Sequence, residues 1–247
     1  PQDKTPSAFK GRNTNMKFED LKLNNALLAA VHRKGFTAPT EIQEKTIPLA
    51  LQGKDLIGQA RTGTGKTAAF GLPILQSINP ASTAVEALVI VPTRELALQV
   101  KEELADLASE SRVQCTAVFG GQGLNIQIQH LRRKPQIVVG TPGRLMDFMR
   151  QRVLDFKHLK FLVLDEADKM FDMGFQEDIQ TIVSQLPRER QTMLFSATMP
   201  EPIRRLAEVH MKTDKVYVNV SEDKLTVDEV DQYFIAVDKK QKVSMLA

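Results

Sequence analysis

An α/β fold, a mostly parallel sheet with helices on both faces, is what this 247-residue sequence predicts. Three observations carry the prediction. Short, continuous apolar runs recur after residue 55, as expected of strands buried on both faces. Longer stretches between them repeat apolar residues at helical spacing. A glycine-rich stretch, Ala60-Arg-Thr-Gly-Thr-Gly-Lys-Thr67, joins the first apolar run to a helical pattern. Strands that alternate with helices pair in parallel, because each helix carries the chain back across the sheet.

The elements follow in chain order. Residues 24–34 and about 40–52 form a helical preface, with Asn24 as the first cap and Gly35 as the stop. Pro48 is expected to bend or break the second helix. Leu56-Ile57 is the first buried run, and Thr67-Ala68-Ala69-Phe70 opens a helix. Leu88-Val-Ile-Val91 precedes a helix from Thr93 to Leu107, where Leu96, Val100, Leu104 and Leu107 share a face. Val113 to Phe119 reads as a strand holding Cys115, a core thiol. Ile137-Val-Val139 precedes a helix from Pro142 to Arg150, with proline at its favoured first position. Phe161-Leu-Val-Leu164 precedes a helix around Gln176 to Leu186, and Met193-Leu-Phe195 precedes one from Glu201 to Met211. Residues 1–17 read as a mobile tail and 18–220 as one domain. The polar residues 221–230 read as a linker, and 231–247 as the start of a second domain, with a strand at Gln232 to Val237 and a helix from Lys239.

Composition narrows the function classes. A net charge of +3 agrees with an anionic partner without requiring one. One cysteine permits no disulfide framework and fits a reducing compartment. The four histidines are scattered singly, which argues against zinc. No apolar run approaches transmembrane length, so no membrane role is expected.

The chemistry lies in two stretches. In the glycine-rich loop, Gly63 and Gly65 allow tight turns that bring backbone N–H groups close to phosphate oxygens. The helix behind it aims its positive N-terminus at the same place. Lys66 is placed for the β- and γ-phosphates, and the Thr67 hydroxyl for Mg²⁺. Thr62 and Thr64 complete the loop. The strict pattern opens on Gly, and here Ala60 stands there. A loose dinucleotide fingerprint, Gly63-x-Gly65-x-x-Ala68, also fits, but the Lys-Thr pair favours a triphosphate. In the second stretch, Asp165 and Glu166 end a buried run, where open α/β sheets bind ligands. Asp165 is placed to hold Mg²⁺, partly through water. Glu166 is placed to orient or deprotonate the attacking water. An acidic helix cap would look the same in isolation, but the phosphate loop upstream favours the metal reading. Together these elements specify a P-loop, RecA-like domain.

The sequence is similar, at this level, to the DEAD-box RNA helicases, over roughly residues 18–220. Asp165-Glu-Ala-Asp168 gives that family its name, and Ala60 is normal in its phosphate loop. Gly35-Phe36-Thr-Ala-Pro39-Thr40-Glu-Ile-Gln43 resembles the Q motif, with Phe18 upstream. Pro92-Thr-Arg94-Glu-Leu96, Gly120-Gly121, Thr141-Pro-Gly-Arg144 and Ser196-Ala-Thr198 resemble motif Ia, the GG element, motif Ib and motif III.

The resemblance implies ATP and Mg²⁺. Gln43 would read the adenine edge and Phe36 would stack on the base. Pro92, Thr93, Arg94, Gly121, Thr141 and Arg144 would grip the backbone of single-stranded or short duplex RNA, which positions RNA without reading its sequence. Ser196 and Thr198 would bond Asp168 and couple the two sites. Each residue also has a plain structural reading: a solvated helix residue for Gln43, a core anchor for Phe36, helix caps for Thr93 and Thr141, and a polar strand end for Ser196 and Thr198. The resemblance further implies a monomer working with a second RecA-like domain and with protein cofactors, in the cytoplasm or the nucleus. The motif that supplies arginine fingers, which contribute about 10³–10⁵ in turnover, is not among these residues, so the chain alone is expected to bind ATP and hydrolyse it weakly. A nucleotide-gated RNA clamp or scaffold is the alternative.

Overall fold

The computed structural model describes residues 16–220. A short 3₁₀ helix, Phe18–Leu21, leads into α1 (Asn25–Arg33) and α2 (Glu41–Leu51). Strands and helices then alternate through β1 (Leu56–Gln59), α3 (Lys66–Ser77), β2 (Ala87–Ile90), α4 (Arg94–Leu107), β3 (Cys115–Val118) and α5 (Leu124–Leu131). They continue through β4 (Ile137–Gly140), α6 (Pro142–Arg150), β5 (Phe161–Leu164), α7 (Ala167–Asp172) and α8 (Gln176–Ser184). The last are β6 (Gln191–Ser196), α9 (Glu201–His210) and β7 (Val216–Asn219).

The sheet has seven strands in the order β3-β4-β2-β5-β6-β1-β7. Every pairing is parallel, so all C-terminal ends share one edge. This is the expected fold class. It also explains why the strands read as unbroken apolar runs: successive side chains enter opposite cores. Ala87, Val89, Val139, Val163 and Phe195 face one core with Phe70 and Leu104. Leu88, Ile90, Val138, Leu162 and Leu194 face the other with Phe148, Ile179 and Ile203. At the N-terminal strand ends, buried Asp55 accepts from the Thr192 and Lys212 backbone N–H groups, each at 2.8 Å. Gln191 Nε2 donates to the Ala50 and Lys54 carbonyls. These bonds pin the base of the sheet.

Several expectations change. Pro48 does not break α2, which runs through it; Ile42, Ile47 and Ala50 seat that helix in the core. Cys115 is half-buried rather than fully enclosed, yet burial still pushes its thiol up to about 12. Helices α5 and α7, strand β7 and the 3₁₀ helix are additions to the elements that the sequence predicts. The linker and the start of a second domain lie outside the described residues.

Candidate functional site

The shared edge of C-terminal strand ends carries two clusters side by side. The loops after β1, β5 and β6 form the first. After β1 the chain turns through Gly63 (φ +82°) and Gly65 (φ +87°), values that a side chain rarely tolerates. Gly65 caps α3 and brings Lys66 and Thr67 into its first turn. The turn is braced from within by Thr64 Oγ1, which donates to the Arg61 carbonyl at 2.8 Å. Residues preceding and opening α2 brace it from outside. Thr40 Oγ1 donates to the Thr64 carbonyl at 2.8 Å, and Gln43 Nε2 donates to the Gly65 carbonyl at 3.0 Å. Gln43 Oε1 accepts from the Thr40 N–H at 3.0 Å. Gln43 is buried, so the solvated-helix reading is wrong. Phe36 is half-buried and stacks on Phe18, with ring centroids 6.2 Å apart.

Asp165 and Glu166 leave β5 directly opposite. Asp165 is buried, and Lys66 Nζ stands 3.6 Å from its Oδ1. Burial pushes the Asp165 carboxyl up; the Lys66 ammonium works against that, and neighbouring Glu166 adds to it. Glu166 adopts left-handed backbone (φ +53°), a strained conformation for glutamate that turns its carboxylate across the loop. Thr62 Oγ1 donates to Glu166 Oε1 at 3.1 Å, and Lys169 Nζ pairs with Oε2 at 2.9 Å.

Asp165 and Glu166 line one open cavity of about 500 Å³, together with Phe36, Gln43, Thr62, Gly63, Gly65, Lys66 and Thr67. Leu96, Gln99 and Glu103 of α4 also line it. Gln99 and Glu103 were not anticipated, although their i, i+3, i+7 spacing from Leu96 puts all three on one helix face. Burial pushes the Glu103 carboxyl up, opposed by a hydrogen bond with Thr67.

Asp168 joins β5 to β6. Its Oδ2 accepts from the Ala197 N–H, the Thr198 N–H and Thr198 Oγ1 at 3.2, 2.9 and 3.1 Å. Its own N–H donates to Ser196 Oγ at 3.1 Å. Burial alone would raise this carboxyl, but the bonds from Thr198, Ser196 and Lys169 outweigh burial and lower it. Ser196 and Thr198 thus both bond Asp168.

The second cluster lies where β3, β4 and β2 end as neighbours. Thr93 Oγ1 caps α4 by accepting from the Leu96 N–H at 3.2 Å, whereas Thr141 makes no side-chain cap on α6. The Arg94 guanidinium lies 5.1 Å over the Phe119 ring. Arg144 donates through both terminal nitrogens to the Gln122 carbonyl at 3.2 Å, and lies 5.5 Å over Phe148. Gly121 takes φ +80° between the two arginines. Pro92 is buried at the end of β2. Phe119, Gln122 and Gln127 complete this cluster and were not anticipated.

Comparison with known proteins bears on both clusters. The model of the DEAD/DEAH box helicase family matches residues 40–206. The ATP-dependent RNA helicase CshA of Listeria monocytogenes is 51% identical over 231 residues, which is 94% of this chain and 44% of that protein. The DEAD-box ATP-dependent RNA helicase CshA of Geobacillus kaustophilus is 50% identical over 93% of this chain and 49% of its own length. The chain thus spans about half the length of the curated relatives it matches. A crystal structure of a DEAD box protein from the hyperthermophile Methanococcus jannaschii superposes with a TM-score of 0.81 at 36% identity, covering 94% of this chain and 62% of that one.

Proposed function

Since the chain belongs to the DEAD/DEAH box helicase family, we propose that it is the ATP-binding half of an ATP-dependent RNA helicase. The observation that carries this reading is the cavity in which Lys66, Thr67, Asp165, Glu166 and Gln43 converge. Gln43 supports ATP over other nucleotides. Its amide has two N–H donors and two acceptor lone pairs, and the protein engages one of each. One donor and one acceptor remain, the pair that an adenine edge needs. The exposed part of Phe36 offers a face for the base.

Lys66 presents its ammonium to the β- and γ-phosphates, and the backbone around Gly63 and Gly65 cradles them. The donor set suits Mg²⁺. Among the described residues no three His, Cys, Asp or Glu side chains gather to hold a metal, and Mg²⁺ needs only one or two carboxylates beside water and phosphate oxygens. Thr67 and Asp165 would hold it, and when bound it neutralises charge on the phosphates. Glu166 orients the attacking water and takes its proton on a carboxylate oxygen. Asp168, through Thr198 and Ser196, ties this site to the end of β6.

The adjacent loops after β2, β4 and β3 form half of an RNA track, with Pro92, Thr93, Arg94, Gly121, Thr141 and Arg144 meeting the sugar-phosphate backbone. Closure with a second RecA-like domain would complete both sites and locally unwind short duplexes. The protein acts as a monomer, with protein cofactors selecting its RNA. Its lone cysteine suits a reducing compartment such as the cytoplasm.

The test is ATP hydrolysis with and without single-stranded RNA, on this chain alone and joined to a second RecA-like domain. Turnover by the joined form only, accelerated by RNA, supports the reading. Binding without hydrolysis in both forms points instead to a nucleotide-gated clamp.

A further inference from the structure

Helix α5 buries one polar residue and exposes two apolar ones. Its sequence, Leu124-Asn-Ile-Gln-Ile-Gln-His-Leu131, alternates apolar and polar residues as a strand would. In the fold it is a helix that leaves Leu124 and Ile126 exposed, at 41% and 48%, and buries Gln127 completely. An uncharged amide is costly to enclose unless its hydrogen bonds are made. Gln127 makes them all to backbone. Its Oε1 accepts from the Phe119 N–H at 3.0 Å. Its Nε2 donates to the Phe119 carbonyl at 2.9 Å and to the Gln122 carbonyl at 3.5 Å. The amide thus grips both ends of the loop that contains Gly120 and Gly121. The same Gln122 carbonyl takes both terminal nitrogens of Arg144. The Phe119 ring, held by the same grip, lies under Arg94. Gln127 therefore sits behind three of the groups assigned above to RNA and touches none of their exposed faces. Ile128 and Leu131 pack against the core as a helix face should, but complete burial of Gln127 beside exposed Leu124 and Ile126 contradicts local patterning, and such conflicts mark functional sites.

We propose that Gln127 is a positioning residue for RNA binding: it fixes the Phe119–Gln122 loop so that Gly121, Arg94 and Arg144 present one continuous surface to the phosphate backbone. The proposal rests on the reading of that face as the RNA track. Backbone grip depends on geometry more than on any single charge, because each phosphate must meet its donors together. Loosening the loop should weaken RNA binding while leaving the nucleotide cavity, across β5, intact.

The experiment is a titration of fluorescein-labelled decauridylate with the 247-residue chain at several salt concentrations, alongside binding of a fluorescent ATP analogue. Gln127→Glu keeps the size and the acceptor but removes the donor. Gln127→Ala removes both without adding charge, and serves if the glutamate variant fails to fold. Arg144→Ala and Arg94→Ala are the controls. The expected result is RNA binding weakened at least about tenfold in the Gln127 variants. Their plot of log affinity against log salt should flatten by about 0.7 for each phosphate the protein no longer neutralises, the value for single strands. ATP-analogue affinity should stay within about twofold of the parent, a difference of about 0.4 kcal/mol. In the parent chain the Phe119 amide should also exchange slowly with solvent, a readout that needs no variant. Loss of RNA binding in the arginine controls but not in either Gln127 variant overturns the proposal. So does an equal fall in RNA and nucleotide affinity, which would mean a merely structural role. If the parent binds no RNA, or the arginine controls bind as the parent does, the RNA track itself is misassigned.

Discussion

Gly65→Ala separates the contribution of the phosphate loop's backbone from that of Gln43. Gly65 sits at φ +87°, and forcing alanine into left-handed backbone costs about 1–2 kcal/mol. The new Cβ would also stand 2.4 Å from Gln43 Nε2 and 3.2 Å from Thr40 Oγ1. The end of a glutamine can swing away, so the clash itself is cheap. The swing has a consequence: it breaks the bond from Gln43 to the Gly65 carbonyl and leaves buried polar groups unpaired, at about 1–3 kcal/mol. The sum is about 2–5 kcal/mol, or about 4–20 °C in Tm for a domain of this size.

Gly63 supplies the contrast. It has φ +82°, but a Cβ there meets nothing within 4 Å. Gly63→Ala should therefore cost only the backbone part, about 1–2 kcal/mol. Thermal unfolding measures both variants, and a fluorescent ATP analogue reports the cavity. Gly65→Ala should unfold at the lower temperature and bind the analogue at least about tenfold more weakly than the parent, a loss of about 1.4 kcal/mol. In a Gln43→Ala background the difference in stability between the two alanines should vanish. Equal stability of Gly65→Ala and Gly63→Ala in the parent background, with parental nucleotide affinity, would refute the argument that Gln43 is locked against the loop.

Three further outcomes follow from the same geometry. Glu166→Gln, in the form joined to a second RecA-like domain, should lower ATP turnover by about 10²–10⁴-fold while nucleotide affinity is kept, because it removes the proton-accepting carboxylate, with its ion pair to Lys169, but keeps the side chain's size; steady-state kinetics and equilibrium binding check it. Asp168 is held below its ordinary range, so its ionised form stabilises the fold above the unfolded value of about 3.9, and that contribution is lost as pH falls through the lower folded value. Denaturant titrations of Asp168→Asn and the parent should thus differ at neutral pH, with the gap beginning to close near the unfolded value of about pH 4 and vanishing only below the lower folded value; a gap independent of pH would contradict this. Gly58→Ala would place a Cβ 2.6 Å from the Phe195 ring inside the core, and should destabilise the fold by about 1–3 kcal/mol in the same unfolding assay.

The parallel sheet was legible because its strands are buried on both faces, which leaves unbroken apolar runs such as Phe161–Leu164 in the sequence. The phosphate loop and the acidic strand end were legible because their chemistry depends on residue types at fixed local spacing. What escaped depends on tertiary partners. Helix α5 was not anticipated, since apolar–polar alternation masks its helical spacing and only the loop carbonyls it grips explain a buried Gln127. Pro48 reads as a bend or break, since only the packing of Ile42, Ile47 and Ala50 shows what keeps α2 continuous through it. Glu103 and Gln99 carry no motif of their own, and reach the cavity because α4 lies against α3. Strand β7 is short and lies at the sheet edge with Tyr217 exposed, so its Val-Tyr-Val run lacks the unbroken apolar character of the buried strands. Gln43 stands out in the sequence as an amide suited to a base, yet no spacing rule indicates that half of its hydrogen bonds hold the phosphate loop.

Calorimetric titration of this chain with ATP and with GTP, each with Mg²⁺, and of its Lys66→Ala variant asks whether the cavity is an adenine nucleotide site. ATP should bind, GTP should bind at least about tenfold more weakly because only adenine fits the free half of the Gln43 amide, and the variant should bind neither. Equal affinity for both nucleotides, or unchanged ATP binding without Lys66, would contradict that assignment.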